Sequence, residues 1–162
     1  VATITDGEEV GGMPWLSDTE QRMWRGYLDS TRLLFRALDR QLIEDNDVTF
    51  ADYEVLALLS EQPDRRMRLS ELADATVTTR SGVTRAVSRM AEAGWVRRVK
   101  CEEDRRGFFA ELTDAGAEKL DSASPGHVAA VRAHLFDLLS ARDVELFAHA
   151  YTQIRDHLTA SA

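Results

Sequence analysis

The chain has 162 residues, 44% of them hydrophobic and 30% charged, with a formal net charge of −8; this is the balance of a globular protein large enough to bury a core. No apolar run approaches the ~18 residues of a membrane span, and the opening VATITDGEEVGG lacks the basic-then-apolar order of a secretory leader. The single cysteine, Cys101, excludes an intramolecular disulfide and a multi-cysteine metal site within one chain, so a protein of the reducing cytoplasm with no membrane partner is expected.

Residues 1–14 are Gly-rich, acidic and aperiodic, the composition of a flexible arm. SDTE then sets Ser17 and Glu20 at capping-box spacing. Trp24, Tyr27, Leu28, Thr31, Phe35, Leu38 and Leu42 follow at helical intervals, which predicts a long amphipathic helix over 18–44, ended by the acidic run EDND. A second helix starts at Thr49, with Asp52 at its N3 position, and runs through YEVLALLSEQ until Pro63 stops it. Ser70 is expected to cap a short helix, SELADAT, and a fourth helix begins at Thr79 and is closed by Gly94. Two short helices joined by a tight turn form the skeleton of a helix-turn-helix.

Beyond it, VRRVKC and GFFAELT read as a hairpin around the charged loop EEDRRG. TDAGAEKLDSA restarts a helix, Ser124-Pro125-Gly126 interrupts it, and HVAAVRAHLFDLL resumes. A last amphipathic helix, SARDVELFAHAYTQIRDHL, has Ser140 and Asp143 at its start. The fold class is therefore mainly α with a small β-hairpin wing, a winged helix-turn-helix in the order α-α-α-α-β-β-α-α.

Positive charge collects on these central elements. From Pro63 to Thr113 there are 11 Lys plus Arg against 8 Asp plus Glu, a balance of +3, while the remainder has 9 against 20, or −11. Overall acidity therefore does not exclude a polyanionic partner, because the location of the positive face decides. On the fourth helix Val83, Ala86, Val87 and Met90 fall on one face and Ser81, Thr84, Arg85, Ser88 and Arg89 on the other, with no acidic residue between Thr78 and Ala91. Small hydroxylated residues let a helix approach the floor of a DNA major groove, where Arg donates to guanine O6 and N7. The plainer alternative is a solvated helix that happens to be basic. Against it stands the hairpin, with Arg105 and Arg106 near its tip, which supplies a second positive element. Ser70, Thr78, Thr79 and Arg80, at the starts of the two helices, complete the candidate DNA-contact set.

The run LSELADATVTTRSGVTRAVSRMAEAGWVRRVKCEEDRRGFFAELTDAG resembles the winged helix-turn-helix of the MarR family of bacterial transcription regulators, and the similarity extends over nearly the whole chain from Pro14. Its most specific part is DRRGFFAELT, with Asp, any residue, Arg, and then Leu-Thr before the fifth helix; Ala110 stands where the family often has Val. The resemblance implies a homodimer whose first and last helices interlock. It divides the chain into an arm (1–14), an N-terminal dimerisation helix (15–48), a DNA-binding domain (49–113) and C-terminal dimerisation helices (114–162). It also implies that Arg85 reads a base, that Arg106 enters the minor groove, and that Asp104 orients a wing arginine. The expected function is a sequence-specific, double-stranded-DNA-binding repressor on a pseudo-palindromic operator, cytoplasmic and held at the nucleoid by its DNA.

The resemblance further implies an effector pocket between the dimerisation helices and the DNA-binding lobe. Trp24, Tyr27 and Tyr53 are the candidate lining, with Arg25 or Arg132 for an anion, so a small aromatic or phenolic carboxylate is the expected effector; a helical aromatic stripe is otherwise ordinary core. Cys101 reads as a small buried hydrophobe rather than a redox sensor, because the redox-sensing relatives carry their cysteine in the first helix. His127, His134, His149 and His157 form neither HExxH nor an i, i+4 pair, so no metal is expected. No catalytic or cofactor fingerprint is present: GxSxG, P-loop and Rossmann patterns are all missing, and no enzyme or cofactor is expected. Two rival readings remain at this stage: a constitutive DNA-binding protein without an effector, and a protein-interaction module that has lost DNA binding.

Overall fold

The computed structural model describes residues 9–10, 13–76, 79–101 and 107–161. It comprises two compact units, Val1–Ala37 and Leu38–Ala162. In the first, β1 (Glu9–Val10) pairs antiparallel with β2 (Met13–Pro14), Val10 opposite Met13. Strands of two residues leave no periodicity in the sequence, which is why composition alone reads as an aperiodic arm. Helix α1 (Asp18–Asn46) opens on the expected capping box: Ser17 N–H donates to Glu20 Oε2 at 2.7 Å, and Glu20 N–H reaches Ser17 Oγ at 3.4 Å. The hydrogen bonds from Ser17 hold the Glu20 carboxyl below its ordinary range.

In the second unit α1 ends with Leu38 and Leu42 buried. Asp47, at φ 53°, takes the left-handed turn, and Val48 N–H reaches back to the Leu42 carbonyl at 3.3 Å. Thr49 caps α2 (Phe50–Ser60) with Asp52 as its reciprocal partner. A short strand, β3 (Arg66–Arg68), leads directly into α3 (Leu69–Ala75). Next comes α4 (Arg80–Glu92), which Gly94 closes at φ 79° while Trp95 N–H bonds the Met90 carbonyl at 2.9 Å.

Two expectations need correction here. The sheet has three strands, because β3 pairs antiparallel with β5 (Phe108–Leu112), which also pairs with β4 (Val96–Lys100) in the order β3-β5-β4. Ser70 does not cap α3. It is the second helical residue, and it is the Glu71 carboxylate that accepts from the chain before the helix, at Arg68 N–H, 3.3 Å away. A strand that runs straight into a helix leaves no turn residue to act as a side-chain cap.

The inner face of the sheet and the helices enclose one core: Val55, Leu56 and Leu59 from α2, Leu72 from α3, Val83, Ala86, Val87 and Met90 from α4, Val96 from β4, and Ala110 and Leu112 from β5. The four apolar positions expected to anchor α4 are all buried. Thr113 caps α5 (Asp114–His134). A Cβ on Gly116 would lie 2.1 Å from the Trp95 carbonyl oxygen, so only glycine allows this helix to approach β4 so closely.

Helix α5 is continuous through Ser124-Pro125-Gly126, against the expected interruption. Proline removes one N–H, leaving the carbonyl four residues back without its helical partner. That residue, Asp121, and Pro125 itself are exposed, so water can serve the freed carbonyl. Ala123 and Leu120 hold the inner side of the same turns in the core. After a 3-10 turn (Phe136–Leu138), α6 (Ala141–Ala160) starts on the predicted Ser140/Asp143 capping box.

His127 sits on α5 with its ring 4.2 Å from that of Tyr53, and its Nδ1 is buried with no hydrogen-bond partner among the described residues. Burial pushes its pKa down, so the fold favours neutral imidazole. The unfolded chain binds the proton at roughly pH 6.5. Stability linked to His127 is therefore complete above that pH and is lost as pH falls through the lower folded value. Melting temperatures measured between pH 7.5 and 5 should fall on the acid side, and His127→Gln should flatten the part of the fall that begins near neutrality. An identical profile in the variant would assign that loss to other groups.

Candidate DNA interface

The N-terminal turn of α4 is fixed by Thr79, whose Oγ1 accepts from Gly82 N–H at 3.2 Å and lies 3.3 Å from Ser81 Oγ. Thr84 donates its hydroxyl to the Arg80 carbonyl at 3.0 Å, which keeps the side chain short against the helix. Thr79, Arg80, Ser81, Thr84, Arg85 and Arg89 are exposed and Ser88 is half-buried. The exposed face is thus built of hydroxyls and guanidinium groups, as the helical spacing requires.

The three arginines differ in what holds them. Arg85 has no carboxylate partner among the described residues. Arg80 pairs with Asp74 at 2.6 Å, but both side chains are largely in water, so a phosphate can replace the carboxylate at little cost. Arg89 is bound within the protein: Nε and Nη2 donate to the two oxygens of Asp52 at 3.3 and 2.6 Å, and Nη2 also lies 3.2 Å from Thr49 Oγ1. Ser70 is exposed in the first turn of α3. Thr78, Asp104, Arg105 and Arg106 lie outside the described residues.

Sequence reasoning missed the positive side chains of the sheet's outer face. Arg66 and Arg68 of β3 lie over the Phe109 ring at 5.3 and 5.4 Å, and Arg97 of β4 pairs with Glu111. The alternation RMR opposite FAE carries this arrangement, but it shows only once the strands are paired. At the neck of the hairpin Cys101 is buried, and its N–H bonds the Gly107 carbonyl at 2.9 Å.

The candidate effector residues fall in separate units. Trp24 and Tyr27 stack on α1 with ring centroids 5.8 Å apart. Tyr53, on α2, packs on His127 with its hydroxyl 3.3 Å from Ser124 Oγ. Arg132 is engaged by Asp137 at 2.9 Å.

A helix-turn-helix whose second helix presents an acid-free face of arginines and hydroxyls, backed by a small antiparallel sheet, defines a winged-helix DNA-binding protein. Within that class the chain belongs to the MarR family of transcriptional regulators. The MarR family profile matches residues 46–107. The chain is 41% identical to Sco3205, a MarR family transcriptional regulator from Streptomyces coelicolor solved in complex with DNA, over 90% of this chain and 92% of that one, with a TM-score of 0.81. It is 42% identical to AbsC, another MarR family regulator from the same organism, over 91% of this chain and 99% of that one, with a TM-score of 0.79. It is also 32% identical to the HTH-type transcriptional repressor YetL of Bacillus subtilis over 81 residues, 50% of this chain but only 48% of that one. Such proteins are regulators, not enzymes.

Proposed function

We propose that the chain acts as a homodimer that reads a pseudo-palindromic operator with α4 of each protomer, represses transcription in the cytoplasm, and releases DNA when a small aromatic or phenolic carboxylate binds. The observation that carries the DNA-reading part is the exposed face of α4, where Arg85 stands without a carboxylate partner among the described residues beside Thr84, Ser81 and Ser88. A guanidinium held this way can donate two parallel hydrogen bonds to a guanine edge. Arg106 is assigned to the minor groove of the flanking DNA and Asp104 to orienting a wing arginine, on the family pattern in DRRGFFAELT. Repression is supported by the likeness to a protein named as a repressor.

Arg85→Ala is expected to cost about 1–3 kcal/mol of operator affinity and to relax base preference at one position in each half-site. A retardation assay on the promoter adjoining the gene, repeated with single-base operator variants, checks this. Equal losses on every sequence would make Arg85 a phosphate contact only.

Homodimerisation is supported by α6, which has no buried residue along its length. Phe147, Tyr151, Ile154 and Leu158 form an exposed stripe at i, i+4, i+7 and i+11. The effector reading draws on the stacked Trp24–Tyr27 pair and on Tyr53, where apolar ring surface is available to an aromatic acid. Titrating salicylate-like acids against a labelled protein–DNA complex, with neutral ring analogues as controls, should release DNA with the acids alone. Acids that bind the free protein yet release nothing would favour a constitutive DNA-binding protein.

A further inference from the structure

By helical position Arg89 belongs with the DNA-facing residues, about 40° round from Arg85. Its partners in the structure belong to the start of α2: Asp52 and Thr49. Asp52 is the one charged residue buried among those described, with its side chain only 3% exposed. Its carboxylate gathers Thr49 N–H at 3.1 Å, the Thr49 hydroxyl at 2.6 Å, and Arg89 Nε and Nη2 at 3.3 and 2.6 Å. Thr49 and Asp52 are themselves the capping box that starts α2. The last turn of α4 is therefore bolted to the first turn of α2 by a forked ion pair whose carboxylate is buried while half of the arginine side chain stays in contact with solvent. Among the described residues the only ion pair at the other end of the helix, Arg80–Asp74, is exposed on both sides.

A forked guanidinium–carboxylate pair fixes direction as well as distance, since both nitrogens must meet both oxygens in one plane. Phe50 N–H, in the same first turn of α2, donates to Asp39 Oδ1 of α1 at 2.8 Å, so the anchor point is itself held.

We infer that the Asp52–Arg89 pair is a positioning device for DNA recognition: it sets the angle at which α4 is presented, and Arg89 is not a DNA contact. The inference rests on α4 being the DNA-reading helix.

Salt dependence and the sign of the Asp52 effect separate positioning from contact. An arginine that neutralises a phosphate releases counterions, so its removal lowers the slope of log affinity against log salt by about one per contact. A positioning arginine leaves that slope unchanged. Removing a buried negative charge from a DNA-binding lobe should, on simple electrostatics, strengthen binding; if Asp52 positions α4, Asp52→Asn weakens it.

The experiment measures operator affinity by fluorescence anisotropy at several salt concentrations, well below every melting temperature, for the full-length wild type, Arg89→Ala, Arg89→Lys, Asp52→Asn and the double variant Asp52→Asn/Arg89→Ala. Leu120→Val, a core change in α5, is the control for lost stability alone. Arg89→Ala and Asp52→Asn are each expected to lose about tenfold or more in affinity with an unchanged salt slope. The double variant should be no worse than the poorer single, Arg89→Lys should fall between because it keeps charge without the fork, and Leu120→Val should bind as wild type. A reduced slope in Arg89→Ala, additive losses in the double variant, or wild-type binding by Asp52→Asn would overturn the inference. If the wild type itself binds no duplex, the DNA-reading assignment of α4 falls and takes this role with it. If the wild type binds and only the pair variants prove silent, the positioning role falls alone.

Discussion

Raising the salt from 50 to 200 mM will weaken operator binding by about a thousandfold to a hundred-thousandfold, the range for a dimer that neutralises roughly 6–10 phosphates. So steep a response from a chain of net charge −8 follows from where the charges lie. The acidic excess belongs to the flanking segments, and at 0.1 M salt its field decays over about 10 Å. What remains at contact distance is the local set on the winged helix: Arg80 and Arg85 on α4, Arg66 and Arg68 on β3, and Arg97, Arg98 and Lys100 on β4. Each is exposed or half-buried, and the pair that ties Arg80 is weak in water. Three to five phosphate partners per protomer are thus within the supply. Anisotropy titrations across a salt series give the slope directly, and a flat line would mean that no cation of this face meets a phosphate.

Ile154→Asp will raise the dimer dissociation constant by about a thousandfold or more. An anchor residue at the centre of an interface is worth about 2 kcal/mol or more. Two-fold symmetry counts it twice, and about 4 kcal/mol is three powers of ten. Ile154 lies within the exposed α6 stripe, between Tyr151 and Leu158, where a carboxylate would be buried against apolar neighbours without a partner. Sedimentation at micromolar concentration should show the wild type at twice the mass of one chain and the variant shifted toward one chain. Operator affinity should fall with it, since the second half-site is then no longer bound at high effective concentration. A folded, monomeric wild type at micromolar concentration would remove the basis for a two-fold operator.

Much of this was legible before any coordinates, for local reasons. Capping boxes are complete within four residues, so Ser17/Glu20, Thr49/Asp52 and Ser140/Asp143 could be read directly, as could Gly94 closing α4. The periodicity of Val83, Ala86, Val87 and Met90 sufficed to place the buried side of α4. The larger misreadings depend on residues far away in the sequence or on what surrounds a helix. Arg66–Arg68 becomes a strand only through Phe109–Glu111, which lie more than forty residues away. Pro125 is tolerated because the two sides of α5 have different surroundings, which residue type does not encode. Arg89 falls among the DNA-facing residues on a helical wheel, and the wheel does not show Asp52, the buried carboxylate it bonds.

The order β3-β5-β4 leaves both β3 and β4 as edges, and each open edge is arginine-rich: Arg66 and Arg68 on one, Arg97 and Arg98 with Lys100 on the other. Unpaired strand edges invite other chains to add on, and charge placed along them is the usual deterrent. Cations in these positions suit a duty that needs no DNA: discouraging neighbouring molecules from stitching their sheets together. Neutralising them to weaken nucleic-acid binding would also remove that protection. Charge-removal variants of this sheet should be made one strand at a time and checked for turbidity on concentration, so that precipitation is not mistaken for a loss of operator affinity.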